Sequence, residues 1–193
     1  MKYIIVLSLL ALVVTSLMSY AANRKTERQQ YQTIKWMDGF EIRFYPKAVM
    51  ATVKSDGDSY MSNSNNDFRA LAGYIFGGNK SSAKIAMTAP VHIEKDSGFN
   101  KMSFVMPSSY KMGDLPTPQN QNIELHYGGE GYFAALKFGG FASEHKIRKH
   151  IDELKAMLHK ASYETIGNIS YLGYTAPWEL IGRENEVIVQ VKY

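Results

Sequence analysis

The sequence contains no cysteine. This absence excludes a disulfide-bonded scaffold, a zinc site with thiolate ligands, an iron–sulfur cluster, covalent c-type haem attachment and a cysteine nucleophile. Any metal ion that this chain binds must therefore be ligated by histidine, methionine, tyrosine or carboxylate side chains.

A strong charge of either sign is also lacking. Lys and Arg number 22 against 18 Asp and Glu, which leaves a formal net charge of +4. An excess this small and scattered does not indicate a nucleic-acid partner, and we expect none. The sequence also lacks an HExxH helix, a GxSxG elbow, a Walker loop and a dinucleotide-binding fingerprint. We therefore expect a binding protein rather than an enzyme.

One long hydrophobic run is present, at the N terminus. Residues 3–22 carry no charge and follow Lys2, and Ser19-Tyr20-Ala21 provides a small-x-small cleavage site. The run is long for a secretory signal and nearly long enough to cross a bilayer. We therefore interpret residues 1–21 as a signal peptide or an N-terminal membrane anchor, followed by a polar tether at 22–34. Both alternatives predict an exported domain, either periplasmic or secreted, or anchored to a membrane by residues 3–22.

The remaining chain has the length of one domain, and each half shows the same order of strand, strand, helix, strand, strand. The first half has predicted strands at 40–45 and 48–54, a helix at 66–76 capped by Ser64 or Asn65, and strands at 84–94 and 102–106. The second half has predicted strands at 123–127 and 132–138, a helix capped by Ser143, and strands at 170–175 and 186–193.

Two short internal similarities indicate that this order arose by duplication. Glu41-Ile42-Arg43 is similar to Glu124-Leu125-His126, and IAMTAPV at 85–91 is similar to LGYTAPW at 172–178. A duplicated β-β-α-β-β unit predicts an α+β fold: a distorted eight-stranded antiparallel β-barrel or curved sheet, covered by two helices. Such a sheet offers a concave surface of the kind where ligands bind.

Several long motifs then resemble a known family. These are FEIRFYPKAVMATV at 40–53, YIFGGN at 74–79, KIAMTAPV at 84–91, FVMPSSY at 104–110, LPTP at 115–118 and YTAPWELIGRENEV at 174–187. In order and spacing they resemble the SOUL haem-binding protein family, over about residues 31–193. The resemblance assigns residues 35–193 to a SOUL-like domain. It implies non-covalent binding of haem or another tetrapyrrole by a carrier, buffer or scavenger, which we expect to be a monomer.

The resemblance also implies where the ring binds, namely against the first helix and the adjoining sheet, with basic side chains near the propionates. The apolar residues that match this description are Phe68, Leu71, Ala72, Ile75 and Met87, and the basic ones are Arg69, Lys80 and Lys84. These apolar side chains are equally expected of an ordinary helix–sheet core. Among the histidines, His92 is our first choice for an axial iron ligand, because it follows the TAPV segment in a predicted strand.

A second hypothesis is a binding module for another apolar or cationic small molecule. The SOUL fold is similar to bacterial effector-binding domains that use a carboxylate in an apolar cavity, and Glu41, Glu124 or Glu179 would take that part here. The alternation of Glu41 and Glu124 with apolar neighbours, however, predicts that both side chains point outward to solvent.

Overall fold

A computed structural model of the chain describes residues 26–176, 179 and 181–193. The strands of this part are β1 (Glu27–Arg28), β2 (Gln32–Trp36), β3 (Glu41–Tyr45), β4 (Val49–Asp56), β5 (Thr88–Ala89), β6 (Val91–Asp96), β7 (Phe99–Val105), β8 (Ile123–Tyr127), β9 (Gly131–Gly139), β10 (Thr165–Gly173) and β11 (Glu184–Val191). The helices are α1 (Ser64–Ile75) and α2 (Glu144–Lys160), with a 3-10 turn at Met112–Asp114. The predicted signal peptide or anchor lies outside the described residues. None of the helices described is long and apolar enough to cross a membrane.

A single antiparallel sheet of nine strands organises the molecule, in the order β2-β3-β9-β11-β10-β6-β7-β4-β8. β1 and β5 form a separate parallel pair. The α+β curved sheet is therefore confirmed. The sheet does not close into a barrel, because β2 and β8 are its edges and do not pair with each other. The ninth strand, β2, adds to the eight strands of the duplicated unit.

The strand order confirms the duplication. Without β2, the strand order is β3-β9-β11-β10-β6-β7-β4-β8. Replacing each strand by its equivalent in the other half, β3 with β8, β4 with β9, β6 with β10 and β7 with β11, gives the same order read backwards. The centre of this symmetry lies between β6 and β10. The helices obey the same symmetry, since α1 packs on β4 and β7 while α2 packs on β9 and β11. The two units are thus interleaved within one sheet.

Only one of the two internal similarities reflects this duplication. Glu41-Ile42-Arg43 and Glu124-Leu125-His126 lie in the equivalent strands β3 and β8. The TAP similarity, in contrast, compares a segment before β6 with the end of β10 and the residues after it. These two segments are not equivalent in the fold, so this similarity is not evidence for duplication.

One face of the sheet packs against both helices and forms the hydrophobic core. Alternate strand residues such as Ile42, Ala51 and Ile93 join α1 and α2 side chains in one cluster. The apolar side chains of α2 that recur at helical spacing are Ile147, Ile151, Leu154, Met157 and Leu158. All but the partly buried Met157 are buried against the sheet. We call the opposite face of the sheet, which bears the other alternate residues, the polar face.

Three predicted boundaries need correction. Residues 27–34, expected within a tether, include β1 and part of β2, because an exposed edge strand is as polar as a linker. The strand predicted at 84–94 is interrupted at Pro90, which lacks the N–H that a ladder requires. The N-cap of α1 is Asn63 rather than Ser64 or Asn65, and its amide donates to the Asp56 carbonyl instead of capping the helix.

Candidate functional site

The polar face contains a cavity of about 310 Å³, at the small end of the usual range for ligand pockets. We call it the polar-face cavity. Its apolar walls include Met50, Phe133 and Ile188, and its polar lining includes Thr52, His92, Ser103 and His126. These residues come from β4, β6, β7, β8, β9 and β11, so both halves of the duplication build it.

His92 lies in this cavity and is held there by the N-terminal segment. Its Nε2 atom is 2.8 Å from Oε1 of Gln29, whose own backbone N–H donates to the Ala89 carbonyl at 2.8 Å. Burial lowers the pKa of His92 to about 4. The imidazole is therefore neutral at pH 7, which is the form that ligates metal ions.

A cluster of buried charges adjoins the cavity, centred on the fully buried Arg43. The guanidinium donates Nε–H to Glu41 at 2.8 Å, and it donates from Nη1 and Nη2 to the two carboxylate oxygens of Glu186, each at 2.8 Å. Lys137 approaches the other oxygen of Glu41 at 3.0 Å, so two positive charges face two negative ones. The cluster is internally neutralised and has no free charge to offer a ligand.

Tyrosines complete this cluster. The Tyr174 hydroxyl donates to Glu186 at 2.7 Å, Tyr45 accepts from Arg43 at 3.0 Å, and the Tyr31 ring lies 4.1 Å from the guanidinium. Burial opposes the charge on Arg43, but the hydrogen bonds to Glu186 and Glu41 outweigh it and raise the pKa of Arg43. Burial also raises the pKa of Tyr174, so this phenol stays protonated.

The sequence pattern alone does not reveal this cluster. The prediction that Glu41 points to solvent is wrong, since the residue is only 4% exposed. Alternation correctly places Glu41, Arg43 and Tyr45 on one face of β3. It cannot show that Lys137 of β9, Glu186 of β11 and Tyr31 of the N-terminal segment meet them there. The spacing of Glu41, Arg43 and Tyr45 in one strand was the available signal, because oppositely charged side chains two residues apart share a face.

The structure places most of the residues expected around a ring in or on α1. Leu71 and Ile75 are fully buried in the core, and the Phe68 ring packs edge-on against Phe104 at 5.3 Å. Ala72 and Met87 are partly buried. Side chains thus fill the space between helix and sheet, so a planar ligand on this side must lie on the outer surface of α1.

Basic residues surround that outer surface. Arg69 is exposed on α1, and Lys80 and Lys84 are exposed on the following loop. The loop is folded back against the helix by the buried Asn79, whose amide donates to the carbonyls of Tyr74 at 3.0 Å and Ala83 at 2.8 Å. These contacts hold the loop that bears Lys80 and Lys84 at the C-terminal end of α1, the helix that bears Arg69.

His92 does not join these residues. Its neighbour Ile93 belongs to the same core cluster as Leu71 and Ile75, so the side chain of His92 points to the opposite face of the sheet. One planar ligand cannot contact both. Within the described residues, moreover, no group of three or more His, Cys, Asp or Glu side chains is arranged to hold a metal ion.

The carboxylates proposed for a cationic ligand are also dispersed. Glu41 is paired within the charge cluster, Glu124 is exposed on the edge strand β8, and Glu179 is buried at 8% exposure. The carboxylate that does line the cavity is Glu94, which is 3.1 Å from Lys101.

The open sheet, its duplicated unit and the two helices on one face define an α+β protein with a cavity on the opposite face. The chain belongs to the SOUL heme-binding protein family, whose model matches residues 26–190. It is 30% identical to human heme-binding protein 2 over 77% of this chain and 76% of that protein. It is 29% identical to heme-binding protein 1 of Xenopus tropicalis over 77% of this chain and 81% of that protein.

Solved structures share the fold at much lower identity. An uncharacterized conserved protein from Listeria innocua has a TM-score of 0.62 at 10% identity, covering 79% of this chain and 92% of that chain. The C-terminal domain of EcmrR has a TM-score of 0.60 at 10% identity, covering 84% of this chain and 98% of that chain. SAV2435 bound to tetraphenylphosphonium has a TM-score of 0.51 at 8% identity, covering 81% of this chain and 94% of that chain.

Proposed function

We propose that this chain binds haem or a related tetrapyrrole non-covalently, as an exported or membrane-anchored carrier, buffer or scavenger. Membership of the SOUL heme-binding protein family over residues 26–190 carries the proposal. Haem supplies a flat apolar ring, an iron and two carboxylates, and the protein must supply an apolar surface and cations. Both are present on the α1 side of the molecule.

The outer face of α1 suits a flat ring. Arg69, Ala72, Gly73 and Phe76 follow each other at the spacing of one helix face. A side chain added at Gly73 would meet no atom within 4 Å, and Phe76 is 63% exposed. The small residues leave a flat surface between a phenyl ring and a guanidinium. The propionates would pair with Arg69, Lys80 and Lys84.

A hemin titration followed in the Soret region tests this proposal. We expect saturable one-to-one binding by the purified chain. Gly73→Glu places a bulky charge on the flat surface and should weaken binding at least about tenfold, a loss of about 1.4 kcal/mol. Ala156→Glu, at an exposed position of α2, carries the same charge change and should leave binding unaltered. Non-saturable binding by the wild type would refute the proposal.

The same titration of the His92→Ala variant shows on which face of the sheet the ring binds. If the ring lies on α1, His92→Ala leaves the Soret band unchanged, because the imidazole is on the polar face. A band that shifts in His92→Ala but not in Gly73→Glu would place the ring in the polar-face cavity, with His92 as the axial ligand that the sequence suggested.

The polar-face cavity favours a second candidate, the binding of a small apolar or cationic molecule. Its lining includes the rings of Tyr45, Tyr127 and Phe133 together with the Glu94 carboxylate, which are groups that attract organic cations. The fold is also that of SAV2435, whose structure contains tetraphenylphosphonium. A rise in melting temperature with this cation, lost in Glu94→Gln but kept in Glu124→Gln, would support this candidate. No rise in the wild type would count against it.

A further inference from the structure

Three side chains on neighbouring strands form a continuous hydrogen-bonded chain in the polar-face cavity. Thr52 of β4 lies between Ser103 of β7 and His126 of β8, with Oγ1 2.6 Å from Ser103 Oγ and 2.7 Å from His126 Nε2. All three residues line the cavity, and Thr52 and Ser103 are each 8% exposed. Hydroxyl and imidazole therefore meet within reach of a bound small molecule but largely shielded from bulk water.

The position of the protons follows from one backbone contact. His126 Nδ1 is 3.1 Å from the Tyr127 carbonyl oxygen, which can only accept a hydrogen bond. Nδ1 therefore carries the proton, and in the neutral ring Nε2 presents its lone pair to Thr52. Thr52 then donates to His126 and accepts from Ser103. A hydroxyl that donates to an oriented imidazole is the arrangement that activates an oxygen nucleophile.

We propose that this chain is an acyl-transfer site, with Thr52 as nucleophile and His126 as general base, for small uncharged esters. Thr52 Oγ1 attacks the ester carbonyl carbon while its proton passes to His126 Nε2. The C–O bond to the leaving group breaks, and the alcohol departs with the proton from His126. Water then attacks the acyl carbon and gives its proton to His126. The bond between this carbon and Thr52 Oγ1 breaks as His126 returns the proton to Oγ1, which releases the free acid and restores the Thr52 hydroxyl.

The surroundings define the substrate class. Met50, Phe133 and Ile188 supply apolar walls, and a volume of about 310 Å³ limits the substrate to a small acyl and alcohol group. Glu94 and Lys101, which both line the cavity, neutralise each other in the ligand-free protein, so a neutral ester meets no net charge there. When Thr52 attacks, Ser103 loses its acceptor and its O–H becomes free to donate to the developing oxyanion.

The proposal concerns the polar face and is independent of haem binding on α1. The test uses the full chain with p-nitrophenyl butyrate, followed by labelling with a fluorophosphonate probe and peptide mass spectrometry. We expect a burst of p-nitrophenol of one equivalent and a label on Thr52. Thr52→Ser should retain both, and His126→Gln should slow acylation by about 100-fold, the usual share of a general base. His159→Gln, on the exposed end of α2, controls for non-specific hydrolysis by surface imidazoles.

Thr52→Val removes the hydroxyl with little change of shape and should abolish both burst and label. Because this variant removes the partner of Ser103 Oγ and of His126 Nε2, its folding is checked by circular dichroism and by hemin titration, and neither signal should change. If Thr52→Val does not fold, the burst and the label in Thr52→Ser and the acylation rate in His126→Gln test the proposal instead. A label absent from Thr52 in the wild type, or a wild-type rate in His126→Gln, would overturn the proposal.

Discussion

Arg43 carries a full charge into the interior of the sheet, with no exposed side-chain surface. Removing an ion from water costs several kcal/mol, and only close, well-oriented partners offset that cost. Here the two-pronged contact with Glu186 and the contact with Glu41 use three of the five N–H groups, and Tyr45 is hydrogen-bonded as well. The residue therefore joins β3 to β11 across the intervening strand β9.

Arg43→Met tests this role. The substitution leaves Glu41 and Glu186 buried without their partner, so we expect the free energy of unfolding to fall by about 3–5 kcal/mol, measured by chemical denaturation of the ligand-free protein. Arg69→Met on the exposed face of α1 is the matched control and should change it by less than about 0.5 kcal/mol.

The double variant Arg43→Met, Glu186→Gln completes the test. If the two side chains stabilise the fold as a pair, the free energy of unfolding should fall less in the double variant than the sum of its decreases in the two single variants. Additive losses, or an Arg43→Met protein as stable as the Arg69→Met control, would contradict the interpretation.

Single residues also show how far sequence reasoning extends. The internal similarity correctly places Arg43 and His126 at equivalent positions of β3 and β8. It could not show that Arg43 is covered by Tyr31 or that His126 contacts Thr52, since both contacts depend on which strands become neighbours. The sequence supports His92 by its place after the TAPV segment in a strand, and only the topology shows that His92 and α1 lie on opposite faces of the sheet.

The two helices begin differently, and this difference is visible at the scale of the element. At the start of α2, the Ser143 side chain accepts a hydrogen bond from the Lys146 backbone N–H at 3.3 Å. At the start of α1, Asn63 has a left-handed backbone with φ of 55° and makes no side-chain cap. The first helix therefore depends on tertiary packing of its buried face rather than on a cap.

Ser143→Ala should accordingly lower the free energy of unfolding by about 1 kcal/mol, because it removes a capping acceptor from the first turn of α2. Ser64→Ala, at the first residue of α1, should have an effect of less than about 0.5 kcal/mol, since Ser64 is not the N-cap. Denaturation of both variants beside the wild type measures the contrast. Equal losses in the two variants would show that the cap of α2 contributes nothing specific.

Elements with a buried face were predictable, and those without one were not. The stripe of α2 comes from burial on one side of the helix, which leaves a periodic pattern in the sequence. β3 and β4 are buried on both faces of the sheet, and their apolar, β-branched and aromatic residues indicate strands. β1 and β2 pair through their backbones, and their burial pattern is mostly exposed or intermediate. Their polar residues were therefore indistinguishable from those of a tether.

At the scale of the whole molecule, a single cut in the chain does not divide the sheet into two separate sheets, because strands of the two halves alternate in it. Three junctions in the sheet join strands of different halves: β3 with β9, β10 with β6, and β4 with β8. Each half alone would retain one three-stranded sheet, β6-β7-β4 or β9-β11-β10, with its helix. β8 would be left without a partner, and β3 would keep only the edge strand β2. Each half alone would lose the contacts buried at these three junctions, and small domains are only marginally stable even when their core is complete.

We therefore expect residues 26–121 and 122–193, produced separately, to be unfolded, and to form the native sheet only when mixed. Arg43 strengthens this expectation, because its partner Glu186 belongs to the other half and would be absent. Circular dichroism and amide NMR dispersion of each half and of the mixture measure the outcome. The control is a full chain with a protease site between residues 121 and 122, cut after folding, which should stay assembled and unfold in one transition. A half that shows a cooperative transition on its own would mean that the duplicated unit is an independent folding unit despite the interleaved sheet.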